Sequence, residues 1–141
     1  MPNIEKKAAL QMNEMSSAAL AYLGDSVLEL RVRDHLVRSG LSTAAHLNEA
    51  SRAFITAPAQ AKAMLKLQSV LTEQEAAVYR RGRNNVHANV PKKATMGEYR
   101  AATGMECLFA YLHLIDDQAR IDELFTLAYL TDETTEPQGK E

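Results

Sequence analysis

Apolar residues recur every three or four positions along most of the chain, and no segment alternates apolar and polar residues as a half-buried strand does. Residues of high helix propensity, chiefly Ala, Leu, Glu, Lys and Arg, fill the same segments. The pattern therefore predicts an all-α fold of about six helices. Their approximate ranges are 17–39, 43–54, 58–69, 72–83, 97–115 and 118–130.

Local signals mark several of the predicted helix ends. Gly40 stands where a left-handed C-terminal cap is expected, and Thr72 with Glu75 has the pattern of a capping box. A polar segment broken by Pro91 predicts a loop between the fourth and fifth helices. The chain is polar and acidic from Thr131, which predicts a disordered tail at 132–141 after a single domain at 1–131.

Composition is that of an ordinary globular protein, with 46% hydrophobic and 24% charged residues among 141. This length supports one hydrophobic core. Cys107 is the single cysteine, which excludes an internal disulfide and a multi-cysteine zinc site. No secretory signal is evident, and segment 101–115 is shorter than the roughly 20 residues that span a bilayer. We therefore expect a cytoplasmic protein without a membrane partner.

Two acidic residues interrupt otherwise uncharged helical segments: Asp25 within AALAYLGDSVL, and Glu106 within AATGMECLFAYLHLI. Leu28, Val32 and Leu36 share one helix side with Asp25, so Asp25 begins a stripe that we expect to be buried. Burying a carboxylate costs several kcal/mol unless it is paired. The two acids therefore indicate a bound cation or a catalytic role. Alternatively, each lies near a helix N-terminus or at a surface edge and needs no cation.

Basic residues are concentrated in one part of the chain, although the net charge is −2. Residues 80–100 contain six basic residues against Glu98 alone. These are Arg80, Arg81, Arg83, Lys92, Lys93 and Arg100. A local basic patch can bind a polyanion even on an acidic protein, whereas the commoner role of such a run is a solvated surface.

Three ordered segments resemble the ribonuclease III family. LAYLGDSVLEL at 20–30 is similar to its signature helix, and MECLFAYL at 105–112 is similar to its second acidic helix. Three segments between them resemble the Mini-ribonuclease III branch: RRGRNN at 80–85, VPKK at 90–93 and YRAAT at 99–103. That branch has the catalytic domain without an appended double-stranded-RNA-binding domain. The resemblance covers about residues 15–130.

The chain departs from the larger ribonuclease III proteins at three positions. Those proteins carry acids where this chain has Ala18, Ala21 and Thr103, and the Mini branch lacks them as well. Fewer acidic ligands leave open how many metal ions the site holds.

The resemblance implies magnesium-dependent cleavage of double-stranded RNA, with Asp25 and Glu106 as catalytic metal ligands. Magnesium is often held by only one or two carboxylates together with substrate phosphate. The six basic residues named above would contact phosphates. Glu29 is either an acceptor for a water on the metal or a structural partner of Arg33 at i+4.

The resemblance also implies a homodimer formed through the signature helix, with Tyr22 and Leu23 at the interface; the alternative is that both are ordinary core residues. Its implied substrate is the base-paired ends of the 23S ribosomal RNA precursor, with a large-subunit ribosomal protein as a hypothetical helper. Two other functions are weighed against the enzyme. One is a non-catalytic RNA-binding module for ribosome assembly on the same fold, and the other is a helical adapter without an RNA role.

Overall fold

The computed structural model describes residues 14–86 and 93–131. This part of the chain contains six α-helices and a π-helical turn, and no strand. The helices are α1 (Ser17–Arg38), α2 (Ala44–Ile55), α3 (Ala57–Leu67), α4 (Glu73–Asn84), α5 (Met96–Leu114) and α6 (Gln118–Phe125). The predicted all-α fold is confirmed. Lys92 and the predicted tail at 132–141 lie outside the described residues.

Side-chain caps fix where the helices begin. The Ser16 hydroxyl accepts a hydrogen bond from the Ala19 amide at 3.0 Å, which starts α1. Thr72 and Glu75 form the predicted capping box of α4. Thr95 and Glu98 form a second capping box at α5, with reciprocal hydrogen bonds of 2.9 and 3.0 Å. Each box satisfies amide groups that the first helical turn leaves without partners.

Gly40 follows α1 with a φ of +104°, a left-handed conformation that side chains other than glycine rarely adopt. This confirms the predicted cap position. Thr56 ends α2 and caps α3, so the two helices meet at one extended residue with a φ of −72° and a ψ of 155°.

Helix α5 runs through the centre of the molecule and packs against α1, α3, α4 and α6. Its fully buried side chains Met105, Leu108, Phe109 and Leu112 form the middle of the core. Around them lie Leu28, Val32, Met64, Leu67, Ile121 and Leu124 from the surrounding helices. The buried side chains of α5 are therefore surrounded by several helices at once.

The sixth helix ends earlier than its sequence predicts. Regular α-helix stops at Phe125, and residues Thr126–Leu130 form a π-helical turn. Within this turn the Tyr129 hydroxyl donates to the Phe54 carbonyl at 2.9 Å, and the ring packs against Phe125 with centroids 5.1 Å apart. The wider turn occurs together with these contacts of a partly buried tyrosine, which helical periodicity in the sequence does not reveal.

Candidate active site

An open cleft of about 750 Å³ lies between α1, α3 and α5 and contains both acids singled out in the sequence. Asp25 reaches it from α1 and Glu106 from α5. The α2–α3 corner and the chain leaving α4 complete its walls. Lining side chains include Ala18, Ala21, Gln60, Asn85, Tyr99 and Thr103. The structure therefore brings together two carboxylates that lie far apart in the sequence.

The two acids are in direct contact, and the surroundings of Glu106 are unusual for a carboxylate. Burial raises the pKa of Glu106 to about 8, reinforced by the negative charge of Asp25 and by a side-chain hydrogen bond with Asp25. A hydrogen bond from Gln60 opposes the rise. No basic side chain of the described residues pairs with Glu106. Without a cation, the two carboxylates therefore hold a proton below about pH 8, and a divalent cation can take its place.

Asp25 differs from the sequence expectation in its exposure. Leu28, Val32 and Leu36 are buried as expected, but Asp25 itself is exposed. The expectation of a buried Asp25 is therefore wrong, because the stripe begins one turn later and Asp25 lies where the cleft opens. Of the two acids, Asp25 is accessible from solvent, whereas Glu106 lies deeper and is only partly exposed.

Gln60 was not identified from the sequence. It is only 3% exposed, lies on α3 and lines the cleft beside Glu106. The signal that could have found it is the pattern of α3, in which Gln60 occupies a buried stripe with Ala63, Met64 and Leu67. A polar residue in such a stripe has a partner or a function.

The residues present fit a hard divalent cation. Carboxylate oxygens are the ligands that magnesium prefers, and an open cleft leaves room for water and a phosphate group. The part of the chain that the structure describes has no cluster of three or more His, Cys, Asp and Glu side chains placed to hold a metal. The neutral side chains of Ala18, Ala21 and Thr103 line the same cleft, so the described residues contribute two carboxylates to it.

The predicted basic residues lie at the end of α4 and around the start of α5. Arg80, Lys93 and Arg100 are exposed. Arg83 is partly buried, with its guanidinium 5.7 Å from the centre of the Tyr79 ring. Arg81 donates to the Met15 carbonyl, so it also anchors the chain that leads into α1. Asn85 and Tyr99, which neighbour some of these residues in sequence, line the cleft, whereas none of the described basic residues does.

Tyr22 and Leu23 have different environments. Tyr22 is 84% exposed, so the alternative that it is an ordinary core residue is wrong for this chain. Leu23 is partly buried and packs against the core. Leu30 and Val37 on α1 are also well exposed, at 67% and 60%. Helix α1 therefore exposes three large apolar side chains on its outer face, beside the ion pair of Glu29 and Arg33.

Glu29 forms an ion pair with Arg33, four residues further along α1. Arg33 donates to its Oε2 from Nη2 at 2.8 Å and from Nε at 3.2 Å. Glu29 does not line the cleft. The structure thus supports its interpretation as a partner of Arg33.

Comparison with known proteins agrees with this fold and cleft. Residues 18–117 match the Ribonuclease III domain. Several relatives carry the name Mini-ribonuclease 3, and three of them show the extent of the similarity. One from Enterococcus faecalis is 38% identical, over 79% of this chain and 86% of the relative. One from Symbiobacterium thermophilum is 40% identical, over 77% of this chain and 84% of the relative. One from Clostridium tetani is 31% identical, over 92% and 87%.

A solved structure shares the architecture. The crystal structure of a protein from Fusobacterium nucleatum superposes with a TM-score of 0.76 at 25% identity, over 82% of this chain and 94% of that protein. The fold and the sequence match together define an endoribonuclease of the ribonuclease III type, which acts on double-stranded RNA. The chain belongs to the Mini-ribonuclease 3 branch of that family. Among the described residues, none of the helices is both long and apolar enough to cross a bilayer.

Proposed function

We propose that this endoribonuclease cleaves double-stranded RNA with a magnesium ion held between Asp25 and Glu106. The observation that carries the proposal is the contact between these carboxylates in one open cleft, with no basic side chain of the described residues paired to Glu106. Ionising both carboxylates is unfavourable in the protein alone, because like charges in contact repel each other, and this repulsion contributes to the raised pKa of Glu106. A divalent cation removes that repulsion.

Magnesium, when bound, polarises a phosphate and makes a water molecule a stronger nucleophile. The chain itself supplies the orientation. Asp25 lies on the exposed side of the cleft and Glu106 lies deeper in it, and both would hold the cation. Both stand on helices whose packing fixes them, which is the condition for holding a reacting group in place.

The metal assignment is tested by replacing each acid with its neutral isostere. We expect Asp25→Asn and Glu106→Gln to lose cleavage of a long RNA duplex by at least about 100-fold, while both still bind the duplex. Glu49→Gln is the matched control, since Glu49 is an exposed acid on α2. Cleavage must also require added magnesium and stop with chelator. Full activity in either isostere would remove the assignment.

We also propose that the basic residues at the end of α4 and around the start of α5 bind the RNA backbone. Recognition of an A-form duplex relies chiefly on phosphates and 2′-hydroxyls, since its base edges are poorly accessible. Arg80, Arg83, Lys93 and Arg100 are suited to this role. Lys92, predicted for the same role, lies outside the described residues.

The RNA contact is tested by salt dependence in the Asp25→Asn background, in which the duplex is not cut. Arg100→Ala should weaken duplex binding and lower the slope of log affinity against log salt by about one unit. Arg38→Ala removes the same charge near the far end of α1, about 20 Å along the helix from Asp25. An equal effect of both variants would show that overall charge, and not this patch, governs binding.

A homodimer formed through α1 is the proposed assembly. A dimer axis would supply two sites related by two-fold symmetry, and cutting both strands of a duplex needs two sites. The exposed side chains of Tyr22, Leu30 and Val37 support this use of α1, because unpartnered apolar surface on one face marks an interaction site.

The proposed natural substrate is the base-paired end region of the 23S ribosomal RNA precursor, with a large-subunit ribosomal protein aiding site selection. The test compares precursor RNA alone with precursor carrying ribosomal proteins. Faster cleavage at the mature ends in the second case is expected. Equal rates and positions would eliminate the helper protein, and no cleavage of either RNA would eliminate the substrate. The non-catalytic module and the adapter are disfavoured by membership in an enzyme family.

A further inference from the structure

One side chain in the cleft has the burial of a core residue and the chemistry of a polar one. Helix α3 buries a single stripe, Gln60, Ala63, Met64 and Leu67, and only the first member is polar. Gln60 is 3% exposed, comparable to Ala63 at 3% and Met64 at 1%. A buried amide that lacks a hydrogen-bond partner costs about 1–3 kcal/mol, so an apolar residue would suit packing better. The glutamine therefore calls for a specific contact.

That contact is with Glu106. Gln60 and Glu106 line the same cleft, and the side-chain hydrogen bond between them favours the charged form of Glu106, so the Gln60 amide nitrogen is the donor. The donor comes from α3, whereas Asp25 comes from α1 and Glu106 from α5. Three helices thus meet at a single carboxylate.

The position of Gln60 is well defined by the backbone. It lies in the first turn of α3, where its backbone N–H donates to the Thr56 carbonyl at 2.9 Å. The Thr56 hydroxyl caps the same turn by accepting from Ala59 at 3.3 Å, and Pro58 restricts the intervening backbone. A backbone anchored in this way fixes the point from which the Gln60 side chain extends towards its partner.

We propose that Gln60 is a positioning residue, whose buried amide holds the Glu106 carboxylate in the orientation that binds the divalent metal. This inference rests on the proposed role of Glu106. An amide suits the task because it is a neutral donor. A third acid would add repulsion to the acidic pair, and a lysine would compete with the metal for the same oxygens. One donated hydrogen bond leaves the remaining lone pairs of the carboxylate for the cation.

The test measures metal binding without RNA. Mn²⁺ serves as the probe, and its free concentration is read from its electron paramagnetic resonance signal in the presence of metal-stripped protein. Gln60→Leu, which keeps the bulk and removes the donor, should weaken Mn²⁺ binding about 10- to 100-fold. The magnesium concentration for half-maximal cleavage should rise in parallel, with the KM for duplex RNA unchanged. Met64→Leu is the matched control in the same buried stripe, and its Mn²⁺ affinity should equal that of the wild type.

A reference variant separates this inference from the proposal on which it rests. If Glu106→Gln loses Mn²⁺ binding while Gln60→Leu binds like the wild type, the positioning role is overturned and the metal site stands. If Glu106→Gln binds Mn²⁺ like the wild type, both ideas fail. A change in Met64→Leu equal to that in Gln60→Leu would reduce the effect to packing and also overturn the role. Should circular dichroism show Gln60→Leu to be unfolded, Gln60→Met is read by the same criteria.

Discussion

Gly24 lies directly against the backbone of Glu106. A Cβ atom added to Gly24 would stand 1.7 Å from the Glu106 carbonyl oxygen and 2.9 Å from its Cα atom. Helices α1 and α5 therefore touch backbone to backbone at this point. Because Asp25 is the next residue, the same contact sets how closely the two carboxylates approach each other.

The first prediction follows from that contact. In Gly24→Ala the new methyl group meets backbone, which cannot rotate away, so α1 must move relative to α5. We expect the free energy of unfolding to fall by about 2 kcal/mol or more, although alanine is intrinsically the better helix former by about 1 kcal/mol. Cleavage should fall by about 100-fold, since displacing a reacting group by about 1 Å has effects of that size. Urea denaturation and single-turnover cleavage measure the two effects.

Gly97→Ala is the matched control for this prediction. Gly97 is in the first turn of α5, and an added Cβ there would find its nearest atom, the Thr95 hydroxyl oxygen, at 3.9 Å. This variant should keep wild-type stability or gain slightly. If Gly24→Ala is as stable and as active as Gly97→Ala, the close approach at Gly24 does not position Asp25.

The second prediction concerns pH and the metal-free protein. The pKa of Glu106 is about 8 in the fold, against 4.5 for an ordinary glutamate, so between these values the folded state binds more protons than the unfolded state. The free energy of unfolding must therefore fall as pH rises through this window, by an amount on the order of 4 kcal/mol. Urea denaturation in chelator at pH 5.5 and pH 8.5 should show the loss. Magnesium should reduce it, because the cation competes with the proton for the same carboxylate.

Glu106→Gln isolates the origin of this pH dependence. The variant carries no titrating group at the position, so its stability should change little over the same range. Glu49→Gln, at an exposed acid, should behave like the wild type. Equal pH dependence in the wild type and Glu106→Gln would mean that Glu106 titrates in its ordinary range and that its burial is not costly.

The helices and the acids were predictable from sequence for different reasons. Helical periodicity and capping residues such as Thr72 act over a few residues, so six helices followed from local pattern alone. The meeting of Asp25 and Glu106 depends on long-range packing, and its prediction came from resemblance to a family. Neither source indicated Gln60, because a glutamine in an amphipathic helix normally faces water. Its burial depends on α5 lying across α3, which local sequence does not specify.

A long-range ion pair, which local sequence also does not specify, gives the third prediction. Arg120 of α6 donates to both oxygens of Glu75, at 2.9 and 2.8 Å, and to the Val70 carbonyl at 2.8 Å. Glu75 is 4% exposed. Burial acts to raise its pKa, but the hydrogen bonds from Arg120 and Thr72 outweigh burial and leave the pKa below its usual value. The sequence revealed only the local half of this arrangement, the capping box.

Arg120→Met should lower the free energy of unfolding at neutral pH by about 3 kcal/mol, because it leaves a buried carboxylate without its partner. Since the pair holds the pKa of Glu75 down, its stabilisation is present above the ordinary range of glutamate and is lost as pH falls through the folded value. The difference between wild type and variant, measured by urea denaturation, should therefore shrink in acid. Arg52→Met, which breaks an exposed pair with Glu49 on α2, should cost about 1 kcal/mol or less. Equal losses for the two variants would contradict the importance of the buried pair.

The fourth prediction tests the outer face of α1 as the dimer interface. Tyr22, Ser26 and Leu30 follow one another at four-residue spacing and are exposed, so they form one face of the helix. Leu30→Glu would place a charge in the middle of an apolar contact, where desolvation costs several kcal/mol. A loss of about 4 kcal/mol weakens association about 1,000-fold. Sedimentation equilibrium should find a dimer for the wild type and a monomer for Leu30→Glu. Leu65→Glu is the control, since Leu65 is 75% exposed on α3, and it should remain dimeric. A dimeric Leu30→Glu, or a monomeric Leu65→Glu, would place the interface elsewhere on the molecule.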